Sequence, residues 1–261
     1  MPTRPTSILF LSLIGLLAGF FSGLFGVGGG VIIVPLLVML LNFQQRRASG
    51  TSLTAILPTA IAGSIGYAVN GDVDWVVAGC LAFGAIFGSI IGTSLLARIP
   101  QLWLRWGFIG FLAVMAVSLF VTVPDRGGNV EYTVVTILGL IGVGLFTGIL
   151  SGLLGVGGGV VVVPIMILVF GMGDLVAKGS SLLMMIPTSI TGTLNNVRNG
   201  NSDLRAAAVI GLFAIPASFG GIAVAGLVPP QVASILFGLF LVFTAVQLAM
   251  RAIRQARENR S

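Results

Sequence analysis

One stretch of this chain is written twice. Ser22-Gly-Leu-Phe-Gly-Val-Gly-Gly-Gly30 returns as Ser151-Gly-Leu-Leu-Gly-Val-Gly-Gly-Gly159, an offset of 129 residues (151 − 22). The same offset, without a gap, carries Pro35 onto Pro164, Gly50-Thr-Ser-Leu53 onto Gly179-Ser-Ser-Leu182 and Pro58-Thr59 onto Pro187-Thr188. It continues through Asn70-Gly71 onto Asn199-Gly200, Asp74 onto Asp203 and Pro100 onto Pro229. Chance does not hold glycine, proline and polar marks in one register from Ser22 to Pro100. The fold is therefore expected to be a duplication, with residues 1–125 as the first half and 126–261, which includes a basic tail, as the second.

Composition fixes the medium in which the two halves fold. Only 8% of the 261 residues are charged and 56% are hydrophobic, whereas soluble domains carry about a quarter charged residues. Such a chain cannot clothe a water-facing surface, but a lipid-facing one needs almost no charge. The expectation is an all-α integral membrane protein. A net charge of +6 is not a nucleic-acid signal here, because four of the thirteen basic residues fall in the last eleven positions and most others end apolar runs.

Ten apolar runs can be read: 8–25, 30–41, 51–69, 75–97 and 107–123, then 133–154, 159–170, 180–197, 206–228 and 232–250. A spanning helix needs about 20 apolar residues. The second and seventh runs are too short, follow the glycine clusters and contain Pro35 or Pro164, so they read as half-helices. Whether they cross or re-enter stays open. The first run reads as a retained first span and not as a signal peptide, because its continuation is repeated in mid-chain where none could lie.

If every run changes the side of the chain and the N-terminus is cytoplasmic, basic residues divide eleven inside to two outside, the two being Arg126 and Lys178. Merging each short run with its predecessor gives eight to five, so the positive-inside rule prefers ten changes of side. Both termini are then cytoplasmic. Five runs per half is an odd number, so the halves are expected to be inverted repeats. Interrupted segments at matching positions of inverted repeats mark the binding site of many secondary transporters.

The glycine clusters are accordingly the first candidate site. Gly28, Gly29 and Gly30, with Gly157, Gly158 and Gly159, would free backbone amides at the starts of two half-helices, where the dipole also favours an anion. Close helix packing is the competing role. Thr51, Ser52, Ser180 and Ser181 open the next runs, where they would cap helices or donate to anion oxygens. Ser22 and Ser151 add hydroxyls. Thr54, Thr59, Thr188, Thr191, Thr193, Asn195 and Asn196 extend a polar stripe that either lines a pathway or bonds neighbouring helices. Asp74 and Asp203 read as helix caps. Lys178 stands apart as a cation that could hold an anion at the pathway's mouth.

What is missing narrows the chemistry further. There is no histidine, and Cys80 is the single cysteine, so His-based metal sites, triads and intrachain disulfides are excluded. No charge lies deep in any run, which leaves transport passive or coupled through interface residues such as Asp74 and Asp203. No Gly-Lys-Ser/Thr follows the glycines, so a nucleotide loop is not expected. Neither an enzyme nor a bound cofactor or metal is expected. The implied partners are the lipid bilayer and a small anionic substrate, with no nucleic acid; homo-oligomerisation stays open.

The doubled Ser-Gly-x-x-Gly-Val-Gly-Gly-Gly-x-x-x-x-Pro motif, each copy followed by Gly-Thr/Ser-Ser-Leu, resembles the TauE/SafE or sulfite exporter family over about residues 8 to 250. The resemblance implies a bacterial or archaeal plasma-membrane permease for sulfite, sulfonates or related organosulfur anions. The motif falls on Ser22, Gly23, Gly26, Gly28–Gly30 and Pro35, and on Ser151, Gly152, Gly155, Gly157–Gly159 and Pro164. Thiosulfate carriers that use several cysteines are not matched, since Cys80 is alone. Three readings compete with a sulfur-anion permease: an anion channel, a carrier for a non-sulfur organic anion, and a structural membrane subunit.

Overall fold

A computed structural model describes residues 5–121 and 130–258. Arg4, Asp125, Arg126 and Arg260, which entered the topology reading, lie outside the described residues. The described chain is all helical. Its first half holds α1 (Pro5–Phe25), α2 (Gly30–Leu40), α3 (Gln45–Val69), α4 (Trp75–Arg98) and α5 (Gln101–Val121). The second holds α6 (Val134–Leu154), α7 (Gly159–Phe170), α8 (Asp174–Arg198), α9 (Leu204–Leu227) and α10 (Pro230–Glu258). Six of the described helices are long and apolar enough to cross a membrane. This is a multi-pass membrane protein.

Each expected run finds its helix, but α5 begins at Gln101 rather than at 107, α10 continues past 250 to Glu258, and two further starts move. Expected at Thr51 and Ser180, α3 and α8 in fact begin at Gln45 and Asp174. Polar residues hid those first turns from a hydropathy reading, although Gln45, Ser49, Asp174 and Lys178 are all buried. Thr51 and Ser180 therefore stand inside their helices and do not cap them. Asp74 and Asp203 do cap: Asp74 accepts from the N–H of Val76 and Val77 at 3.0 Å, and Asp203 from Ala206 at 3.1 Å.

Two glycine-stitched helix pairs frame the molecule. Along α1, Gly15, Gly19 and Gly23 meet Ile210, Ala214 and Ser218 of α9 in the same order. Along α4, Gly84, Gly88 and Gly92 meet Ile141, Leu145 and Ile149 of α6. Both pairs are thus parallel. A Cβ on Gly19 would lie 2.6 Å from the Ala214 Cα, so only glycine permits this approach, the small-residue packing that lets membrane helices touch without a hydrophobic driving force. Between the pairs, α3 and α8 pack against each other. On the flank, Phe25 of α1 stacks on Phe237 of α10 at 4.2 Å.

Polar contacts identify the two ends. At one, Arg46 donates to the Ile99 carbonyl at 2.7 Å and Arg47 pairs with Asp203 at 2.7 Å. At the other, Tyr132 donates to the Asp74 carboxylate at 2.5 Å, and Ser180 Oγ accepts from the Asp74 N–H at 2.9 Å. Because α1 runs parallel to α9, it starts at the Asp203 end, where α3 also starts. Thus α1, the glycine break and α2 go out and return to the same end. By the same logic α6 and α8 both start at the Asp74 end, and α6–α7 returns there. Each short helix thus brings the chain back to the end at which its half began.

Candidate functional site

The glycine breaks are where α1 and α6 stop and the chain doubles back. Gly26, Gly28 and Gly29 have φ of 69°, 74° and 78°; Gly155, Gly157 and Gly158 have 73°, 86° and 87°. L side chains rarely adopt these left-handed values, so the two breaks share one backbone solution that only glycine makes easily. They also meet. A Cβ on Gly30 would lie 2.5 Å from the Gly155 carbonyl oxygen, and one on Gly159 would lie 2.6 Å from that of Gly26. The half-helices α2 and α7 therefore begin at one junction, each start facing the other's break.

Their N-termini are buried and uncapped. Gly29 and Gly158 hold the N-cap positions and supply no side-chain cap. Among the described residues the N–H groups of Gly28, Gly29, Gly157 and Gly158 form no backbone hydrogen bond. A helix start buried in this way is expected to find a partner. One turn before each break stand Ser22 and Ser151, fully buried, whose hydroxyls make no hydrogen bond. Ser151 lies against the Gly158 Cα, where an added Cβ would sit 3.7 Å from the serine Cβ. Two freed amide pairs and two free hydroxyls form a neutral donor set with positive helix-dipole ends behind it.

The hydroxyls of the second motif are committed elsewhere. Ser52 donates to the Gly155 carbonyl at 2.7 Å and Ser181 to the Gly26 carbonyl at 3.0 Å, each pinning the other half's break. Thr51 accepts from the Asp203 N–H at 2.9 Å, as Ser180 does from Asp74. These four contacts hold the junction's shape, whereas Ser22 and Ser151 have no such partner. Ile56 and its repeat mate Met185 fill the space beside the glycines: an added Cβ would lie 2.5 Å from Met185 Sδ at Gly28 and 3.1 Å from it at Gly157. Sequence reasoning missed both, since an apolar residue in an apolar run carries no mark; only the 129-residue register could have linked them.

Four expected residues do not join the junction's donors. Asn195 is half-buried and donates to Thr93 Oγ1 at 2.7 Å, tying α8 to α4. Thr188 and Thr191 return their hydroxyls to backbone carbonyls of α8 at 2.9 and 3.0 Å. Lys178 does not wait at a pathway mouth: its ammonium is on Asp174 at 2.8 Å, with both side chains about 5% exposed or less. The longer α8 thus takes into its buried first turns an ion pair that the sequence reading left ahead of the run. A lone charge at such depth is expensive, and pairing is what makes it tolerable.

Comparison with known proteins agrees with this architecture. The family model described as "Sulfite exporter TauE/SafE" matches residues 1–119 and 140–261. The chain is 28% identical over 219 residues to a protein named "Probable membrane transporter protein YunE" from Bacillus subtilis, covering 75% of this chain and 80% of that one. It is 26% identical over 265 residues to a "Probable membrane transporter protein" from Haemophilus influenzae, covering 94% and 99%. A like-named Xylella fastidiosa protein is 32% identical over 190 residues, covering 71% and 72%. No solved structure matches the chain.

Proposed function

The chain belongs to the sulfite exporter TauE/SafE family, and from that membership we propose that it is a permease, not an enzyme, moving small organosulfur anions such as sulfite or sulfonates by alternating access. The observation that carries the reading is the junction of two buried, uncapped half-helix starts with Ser22 and Ser151 unpaired beside them. Amide and hydroxyl donors match the oxygens of a sulfite or sulfonate group, and the converging dipoles favour negative charge. Neutral donors also suit a carrier, because a fixed intramembrane cation would hold the anion too tightly to release it.

The two halves, read as inverted repeats, would rock about this junction. Ile56 and Met185 stand where the substrate would lie, so the described state is closed and movement of α3 against α8 must withdraw them. The basic residues gathered at the Arg46/Arg47 end support a cytoplasmic placement for that end and for both termini.

The test is counterflow into liposomes holding the purified protein. Saturable uptake of labelled sulfite or isethionate, accelerated by the same anion on the opposite side, is expected. Flux that neither saturates nor exchanges would indicate a channel, and exchange of only acetate or phosphate would remove the sulfur.

A further inference from the structure

The 129-residue offset pairs a cluster at one end of the protein with a mate at the other, and the two are chemically unlike. At the Asp74 end lie Tyr67, Asp72, Asp174 and Lys178. Their equivalents at the Arg46/Arg47 end are Asn196, Asn201, Gln45 and Ser49. The backbones agree: the Asp72 N–H donates to the Tyr67 carbonyl at 2.9 Å, and the Asn201 N–H to the Asn196 carbonyl at 2.9 Å. Gly179 packs on Asp72 and Tyr67 as Gly50 packs on Asn201 and Asn196.

The side chains do not agree. At the Asp74 end Lys178 binds Asp174, and the Tyr67 hydroxyl donates to the Gly23 carbonyl at 2.7 Å. At the other end Gln45 Nε2, Ser49 Oγ, Asn201 Nδ2 and both amide atoms of Asn196 make no hydrogen bond, although all four residues are at least nine-tenths buried. Arg46 Nε, beside Gln45, is also unpaired. Native structures leave few such atoms, and a concentration of them points to an unfilled binding role. The atoms are gathered by geometry. Gln45 is one helical turn before Ser49 on the same face, Gly50 brings in Asn196 with an added Cβ 3.3 Å from its Cγ, and Gly155 of the junction abuts the Ser49 backbone.

We propose that Gln45, Ser49, Asn196 and Asn201 form a second, neutral binding station for a sulfite or sulfonate oxyanion, between the glycine junction and the Arg46/Arg47 end. Its amide N–H groups and hydroxyl supply more donors than acceptors, and Arg46 draws an anion toward it without fixing one at depth. In the opposite cluster Lys178 and Asp174 satisfy each other and the tyrosine is held by the Gly23 carbonyl, so the protein binds anion asymmetrically along a pathway whose halves share one ancestry of sequence. The station rests on the permease reading for its ligand, while its existence rests on the unpaired atoms.

Binding of sulfite and of isethionate to the detergent-purified full chain tests it, with Asn196→Tyr, Asn196→Asp, Asn201→Leu and, as reference, Ser22→Ala. Asn196→Tyr installs the repeat's own filling residue, so its melting temperature is expected to equal or exceed that of the parent. Affinity should fall at least tenfold in each Asn variant. Folded Asn variants that bind within twofold of the parent, while Ser22→Ala binds weakly, would overturn the station and leave the permease reading standing. Stabilisation of Asn196→Asp by sodium chloride beyond that of the parent would make this a cation site and overturn the proposal. A parent protein that binds neither anion would remove the permease reading for sulfur anions and the station with it.

Discussion

Ser22 and Ser151 separate a binding site from a packing arrangement. A buried hydroxyl without a partner destabilises a protein by about 1–3 kcal/mol, so replacing it with alanine is expected to leave the melting temperature unchanged or raise it. If the hydroxyl serves the substrate, the same change removes a bond to a charged ligand, about 1.5–3 kcal/mol, and affinity falls by roughly ten- to a hundredfold. The glycines behave differently. At Gly158 the nearest atom to an added Cβ is Met184 Cε at 3.4 Å, whereas at Gly29 it is the Ala18 carbonyl oxygen at 2.7 Å. Both positions carry the strain of a left-handed φ, of order 1–2 kcal/mol. Gly158→Ala should therefore insert and fold better than Gly29→Ala, and valine at either position should abolish transport. Equal thermal stability of the two alanine variants would contradict the difference in space.

At the scale of elements, the cross-repeat pins carry the junction. Ser52→Ala and Ser181→Ala each remove a buried hydrogen bond and leave a glycine carbonyl bare, so each should lower stability by about 1–3 kcal/mol as read by thermal unfolding. This is opposite in sign to the Ser22 prediction on neighbouring chemistry. On the far side, Tyr132 tethers the start of α6 to the cap of α4. Its hydrogen bond to Asp74 comes first in raising its pKa above the ordinary value of 10.0, with a smaller contribution from the Asp74 charge. Folding raises this pKa, so the tether's contribution is present below pH about 10 and is lost as pH rises through the folded value. The exposed tyrosine of the two in the chain should titrate above 10 by ultraviolet absorbance and return toward 10 in Asp74→Asn; titration unaffected by that change would contradict the tether.

The elements were legible to different degrees for physical reasons. Glycine clusters and a constant offset survive any burial pattern, so the two half-helices and their equivalence could be read directly. The first turns of α3 and α8 could not, because Gln-Arg-Arg-Ala-Ser and Asp-Leu-Val-Ala-Lys look like loops unless the buried Asp174–Lys178 pair is known. Glycines four residues apart, at Gly15, Gly19 and Gly23 and again at Gly144, Gly148 and Gly152, were a readable sign of the α1–α9 and α4–α6 contacts that hydropathy overlooks. Hydroxyl roles were the least legible. Ser22 and Ser52 differ only in whether a carbonyl of the other half lies within reach, and that is settled by tertiary structure.

For the whole molecule, the turns after α3 and α8 lie at opposite ends. In a Cys80→Ala background, Asn70→Cys and Asn199→Cys are both exposed and should react with an impermeant maleimide from opposite sides of the membrane, Asn70→Cys from outside. Labelling of both from one side would break the topology. Transport by rocking then requires that the closed junction open alternately to each end, with Ile56 and Met185 leaving the glycines together. The most direct measurement is counterflow of sulfite or isethionate in liposomes by the parent, Ser22→Ala and Ser151→Ala proteins at matched, verified folding. Saturable exchange that falls at least tenfold in both variants, with melting temperatures equal to or above the parent's, is predicted. Exchange undiminished in both would contradict a binding site at the meeting of the half-helices.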